Sequence, residues 1–107
     1  MKIPCHCGYE ILDVTDDVPQ KGHLIPDQEW FATYDALDGL IDEVADGRSS
    51  KELAYHRARE IVSRSARPMW QCRKCGRLYI DGLDKQLRCF NPEGGSTAFE
   101  LLRGRPS

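Results

Sequence analysis

Two short cysteine runs are the residues best suited to chemistry in this 107-residue chain: Cys5-His6-Cys7-Gly8 near the start and Cys72-Arg73-Lys74-Cys75-Gly76-Arg77 in the last third. Two thiolates at C-x-x-C spacing can grip one ion, because the turn between them directs both sulfurs inward. The glycine that follows lets the backbone return closely enough for amides to approach sulfur. A structural metal takes four donors, so half a site implies another half, and the first run is its supplier. The expected ligands of Zn2+ are Cys5, Cys7, Cys72 and Cys75. Because the first pair is C-x-C, His6 in place of Cys7 is the second choice. Four thiolates leave no coordination position open to water or substrate, which points to a structural rather than a catalytic ion. Arg73, Lys74 and Arg77 would offset the negative charge of such a centre and favour ionised thiols.

Disulfide, redox and iron chemistry are the competing readings. Five cysteines in a reducing compartment are poor disulfide candidates, and an odd number leaves one unpaired. A redox C-x-x-C should open a helix, whereas Leu78-Tyr79-Ile80 reads as strand. With Met69-Trp70-Gln71 before the second run and Leu78-Tyr79-Ile80 after it, that run resembles the hairpin knuckle of zinc-ribbon proteins. The rubredoxin-type iron site uses two C-x-x-C-G knuckles, and only one is present here. Cys89, between Leu87 and Phe90, is expected to be a small buried hydrophobe.

These donors must be positioned by the elements around them. Tyr9 to Val14 reads as a brief strand, and Asp13 to Lys21 as loop. A helix should begin near Pro26-Asp27, with Asp27 as its cap. Trp30, Phe31, Tyr34, Leu37, Leu40, Ile41 and Val44 then recur at helical spacing, opposite an acidic face. Gly47 ends that helix, and Ser49 with Glu52 is a capping-box signature for the next. Leu53, Ala54, Ala58, Ile61 and Val62 would form its buried side, with Lys51, Arg57, Arg59, Arg64 and Arg67 exposed, until Pro68 stops it. Short β segments follow at Met69 to Cys72, Leu78 to Ile80, Leu87 to Phe90 and Phe99 to Leu102, with turns at Gly76, Asp81-Gly82 and Asn91 to Gly95. The 64 residues between Cys7 and Cys72 exceed what a simple zinc ribbon carries. The expected architecture is therefore α+β: a small zinc-ribbon-like antiparallel sheet with a helical hairpin inserted between the cysteine pairs. At 12.2 kDa one domain over 1–107 is expected, with knuckles at 1–14 and 69–102 and the insertion at about 26–67.

A net charge of −2 hides an asymmetry. Residues 1–46 carry eleven acids against Lys2 and Lys21, a net −9, and residues 47–107 carry thirteen bases against six acids, a net +7. The halves could attract each other or present charge to a partner. No run approaches a membrane span and the N-terminus lacks a signal-peptide h-region, so the expected location is the cytoplasm, with no membrane partner.

No enzymatic activity is expected. His6, His23 and His56 sit in no nucleophile motif, the acids of the first helix read as a solvated face, and Gly94-Gly95-Ser96 lacks the lysine of a phosphate loop. The function expected first is protein–protein interaction, with Asp35, Asp38, Asp42, Glu43 and Asp46 contacting a partner with a basic surface. The chain resembles small bacterial proteins of undefined role with a C-x-C-G start (Cys5 to Gly8), an I-P-D-Q-x-W-F segment (Ile25 to Phe31) and a C-x-x-C-G-R-L-Y-I-D stretch (Cys72 to Asp81). Size and acidity alone also suggest a bacterial immunity protein that neutralises a toxin by capping it. The alternative is nucleic-acid binding along Arg57, Arg64, Arg67, Arg73, Lys74, Arg77 and Arg88, with Tyr79 stacking on bases.

Overall fold

The computed structural model describes residues 1–94 and 99–106. The Gly94-Gly95-Ser96 turn lies partly outside them. Eight elements follow in chain order: β1 (Lys2–Pro4), β2 (Glu10–Leu12), β3 (Lys21–Leu24), α1 (Asp27–Ala45), α2 (Lys51–Ser65), β4 (Arg67–Gln71), β5 (Leu78–Asp81) and β6 (Leu87–Phe90). The class is α+β, with a two-stranded antiparallel sheet β1-β2 and a four-stranded sheet in the order β3-β4-β5-β6. The helical hairpin falls between the two cysteine pairs in sequence, as expected. The chain divides into two compact units, one built from 1–23 with 68–107 and the other from 24–67.

Two cross-strand pairs make the core of the first unit. Ile3 faces Ile11 across β1 and β2, and Trp70 faces Tyr79 across β4 and β5. All four are at most 4% exposed. Side chains alternate along a strand with a period of two, so the residue two places beyond an inward one also points inward. Cys5 follows Ile3 by two, Cys72 follows Trp70 by two, and both join the same buried cluster. Strand periodicity thus aims one thiol of each run at the core.

A polar clamp lies beside it. Asp13 Oδ2 pairs with Lys21 Nζ at 2.8 Å and accepts from the Trp70 indole Nε1–H at 3.2 Å. Hydrogen bonding from Lys21 holds the Asp13 carboxyl below its usual range, and the Trp70 bond adds to this against the opposing effect of burial.

In the second unit α1 and α2 pack as a hairpin, and Glu43 on α1 pairs with Arg57 on α2 at 3.4 Å. Helix starts differ from the expectation by one residue. Pro26, not Asp27, occupies the α1 N-cap and makes no side-chain cap bond, and α2 is capped by Ser50, whose hydroxyl accepts from Leu53 N–H at 3.1 Å. Ser49 instead donates to the Ser50 carbonyl. The apolar faces are also less covered than expected: only Thr33 and Leu40 are buried on α1, and nothing is buried on α2. Two helices alone cannot enclose both their apolar stripes.

Three further expectations are corrected. Lys21–Leu24 forms a strand, although part of it reads as loop, because β4 supplies a pairing edge. Phe99 to Leu102 does not join the sheet: Leu101 N–H donates to Gln71 Oε1 at 2.8 Å, and the Phe99 ring packs over Gly76. Cys89 is exposed, because β6 is an edge strand whose four residues all face solvent. Among the described residues, no helix is long and apolar enough to cross a membrane.

Candidate metal centre

Cys5, Cys7, Cys72 and Cys75 converge, their sulfurs all within 4.8 Å of one another. Two short approaches cross between the runs, 3.5 Å from Cys5 Sγ to Cys75 Sγ and 3.6 Å from Cys7 Sγ to Cys72 Sγ. Tetrahedral metal–thiolate bonds of about 2.3 Å would set sulfurs about 3.8 Å apart, whereas a disulfide would bring a pair to about 2.05 Å. All five cysteines are free. The donor set and spacing therefore fit one tetrahedral ion. His6 is exposed and is not part of the cluster.

The two runs close in parallel ways. In the second, Cys72 N–H donates to Arg77 O and Gly76 N–H to Cys72 O, each at 2.9 Å. In the first, Cys5 N–H donates to Tyr9 O at 2.8 Å and Gly8 N–H to Cys5 O at 2.9 Å. Each loop ends on a glycine in the left-handed region, Gly8 at φ 93° and Gly76 at φ 82°. The C-x-C run is thus the C-x-x-C closure with one residue fewer, which is how a shorter loop still presents two thiols.

Backbone amides of Lys74 and Cys75 point at Cys72, that of Arg77 at Cys75, and that of Cys7 at Cys5. Burial pushes the Cys72 thiol up to about 12 despite its amide bonds. Burial also opposes ionisation of Cys5, but hydrogen bonds from the Cys7 amide, the Tyr79 hydroxyl and neighbouring thiols outweigh it and bring Cys5 down to about 6. Cys75 is lowered against its burial by the amide and guanidinium of Arg77, whose Nη1 lies 3.3 Å from its sulfur. Four thiolates in this space repel one another, and a divalent cation at their centre would let all four ionise together.

Tyr79 and Gln71 support the site. The Tyr79 hydroxyl accepts from His6 N–H at 3.1 Å, and burial with the Cys5 bond raises its pKa. Gln71, 2% exposed, donates from Nε2 to Gly76 O at 3.2 Å and so braces the second loop. Neither role is signalled by residue type or spacing. At 4% exposure Tyr79 is not available to stack on a base, which corrects that part of the nucleic-acid expectation.

The amino acids expected to meet a protein partner fall into two groups. Asp35, Asp38 and Asp42 are exposed on α1 and form no ion pair among the described residues. Glu43 and Asp46 are engaged locally, by Arg57 at 3.4 Å and Arg48 at 3.0 Å.

Residues 1–94, which include all four clustered cysteines, match the family model described as a domain of unknown function, DUF8617. The chain belongs to this family. Comparison with curated proteins and with solved structures finds no match. For this DUF8617 member, the functional reading rests on its own geometry.

Proposed function

We propose that the chain is a non-catalytic, zinc-stabilised protein-interaction module. The observation that carries this is the convergence of four thiols, from two loops far apart in sequence, at near-tetrahedral spacing. Cys5, Cys7, Cys72 and Cys75 would hold the ion, and its chemistry would be structural: cross-linking the N-terminal loop to the β4–β5 loop. An all-sulfur set favours zinc over hard cations, and Arg77 beside Cys75 supplies compensating charge. Iron remains the chemical competitor for the same four sulfurs, and metal analysis decides between them.

Recognition is assigned to the helical hairpin. Asp35, Asp38 and Asp42 carry unpaired charge, and Phe31 and Ile41 on the same helix are 73% and 67% exposed. Apolar side chains flanked by uncompensated charge are the composition of a protein-binding surface, and the charge selects a basic partner. The bases invoked for nucleic acid are less free: Arg57, Arg77 and Arg88 engage Glu43, Cys75 and Asp84.

Metal analysis of protein purified under reducing conditions tests the first half. One zinc per chain, lost in Cys72→Ser/Cys75→Ser, is expected; no metal, or metal retained in that variant, would remove the centre. Affinity capture compared between wild type and Asp38→Lys/Asp42→Lys tests the second half, which fails if the reversal changes no recovered interaction.

A further inference from the structure

We propose that the basic partner of this hairpin is a second copy of the chain, bound face to face through the trough between α1 and α2. The inference rests on reading the hairpin as the protein-binding surface, and it names what that surface binds.

The trough has a volume of about 560 Å³ and is lined almost wholly by apolar atoms, with Leu37, Ile41 and Val44 from α1 and Ala54, Tyr55 and Ala58 from α2. It continues along the hairpin through Leu37 and Ala58 to Val62. Ile41, Tyr55 and Val62 on this face are 67%, 55% and 39% exposed. One hairpin leaves this face in water, whereas two hairpins pressed together form a four-helix bundle with an enclosed core.

Charge selects the occupant and its orientation. At about 100° per residue, Asp38 and Asp42 lie one step round α1 from Ile41 and Ala45, along the outer edge of the trough. Along the other edge, α2 presents Lys51 and Arg59, with the exposed Glu52, seven residues before Arg59 and so on its side of the helix, leaving that border basic by one charge. Asp38, Asp42, Lys51 and Arg59 form no ion pair among the described residues. The face is therefore an apolar strip with an acidic border and a basic border. A two-fold axis across the helices would lay α1 on α1 and acid on acid. A two-fold axis along them lays α1 of each copy on α2 of the other, so that both borders meet opposite charge and contacting helices run antiparallel. The surface is complementary to itself in that second arrangement alone.

The size is adequate. Helices of 19 and 15 residues, side by side, present a face of roughly 500–600 Å² per copy at 1.5 Å per residue. About 1,100 Å² in total passes the ~1,000 Å² expected of a specific interface.

Sedimentation equilibrium of the full chain tests this, with far-UV circular dichroism confirming that each variant keeps its helices. Wild type is expected as a dimer, and Ile41→Glu, Asp38→Lys/Asp42→Lys and Lys51→Glu/Arg59→Glu should each weaken it at least tenfold. Mixing the two charge variants should restore a heterodimer, because each then meets its opposite on both borders. A monomeric wild type overturns the proposal, as does a dimer insensitive to Ile41→Glu. Charge variants that still self-associate, or that fail to pair when mixed, overturn the α1-on-α2 arrangement. A monomer that holds zinc and loses a captured partner on Asp38→Lys/Asp42→Lys defeats self-association alone. Capture that the reversal leaves unchanged counts instead against the hairpin as a partner surface.

Discussion

Cys7 Sγ lies 3.6 Å from Cys72 Sγ, although 65 positions separate them along the chain. A link between points so far apart removes much of the freedom of the unfolded chain, provided an ion holds both ends. Cys72→Ser, which deletes the most buried of the four thiols, should cost about 4 kcal/mol or more, the size typical of losing a metal site. At about 4–8 °C per kcal/mol this is a fall in Tm of at least ~15 °C. Cys89→Ser, at an exposed edge-strand cysteine, should change Tm by no more than a few degrees. Thermal melts of the two variants beside wild type check the contrast, and equal effects would count against the metal centre.

Asp13 offers a pH prediction. Its carboxyl is held below the ordinary value of 3.8, chiefly by Lys21. A depressed carboxyl stabilises the fold at pH values above 3.8, and that contribution is lost as pH falls through the lower folded-state value. Asp13→Asn should therefore cost about 1–2 kcal/mol at neutral pH, through the Lys21 pair and the weakened Trp70 bond. The gap between wild type and variant should close below pH 3.8. Denaturant unfolding of both proteins across that range isolates the effect, since acid release of a metal is common to the two. A gap independent of pH would contradict the role given to the charge.

Ser50→Ala and Ser49→Ala separate two readings of the α2 start. The Ser50 hydroxyl accepts from Leu53 N–H, whereas Ser49 caps nothing. The first substitution should cost about 1 kcal/mol and the second little, measured as loss of helicity and of stability. The reverse order would restore the Ser49 capping box.

The cysteine runs are legible from sequence because the turn each one makes is local: spacing and a following glycine specify where the sulfurs go before any tertiary contact exists. Placing Cys5 and Cys72 in the core is nearly as local, since both are in phase with Ile3 and Trp70. What escapes is decided by neighbours distant in sequence. Lys21–Leu24 becomes a strand because β4 offers it an edge, and Phe99 to Leu102 stays out of the sheet because Gln71 takes up Leu101 N–H. Periodicity shows which face of a helix is apolar but not what covers it. Ile41 is therefore correctly placed in the stripe and still 67% exposed.

Gly76 and Gly8 make a matched pair for the last prediction. Both have left-handed backbone, so any side chain at either costs about 1–2 kcal/mol in backbone strain. Only Gly76 is crowded as well: a Cβ there would meet the Phe99 ring at 2.5 and 2.7 Å, while a Cβ at Gly8 would meet nothing within 4 Å. Gly76→Ala should thus destabilise more than Gly8→Ala, by an added ~1–3 kcal/mol of overpacking. Removing the ring should cancel that excess, so Gly76→Ala in a Phe99→Ala background should cost no more than Gly8→Ala does alone. Denaturant unfolding of the four variants completes the cycle. An excess that persists without the ring would locate the strain in Pro92, whose Cγ would stand 3.3 Å from that Cβ, or in the metal loop itself, where the Gly76 amide bonds to the Cys72 carbonyl.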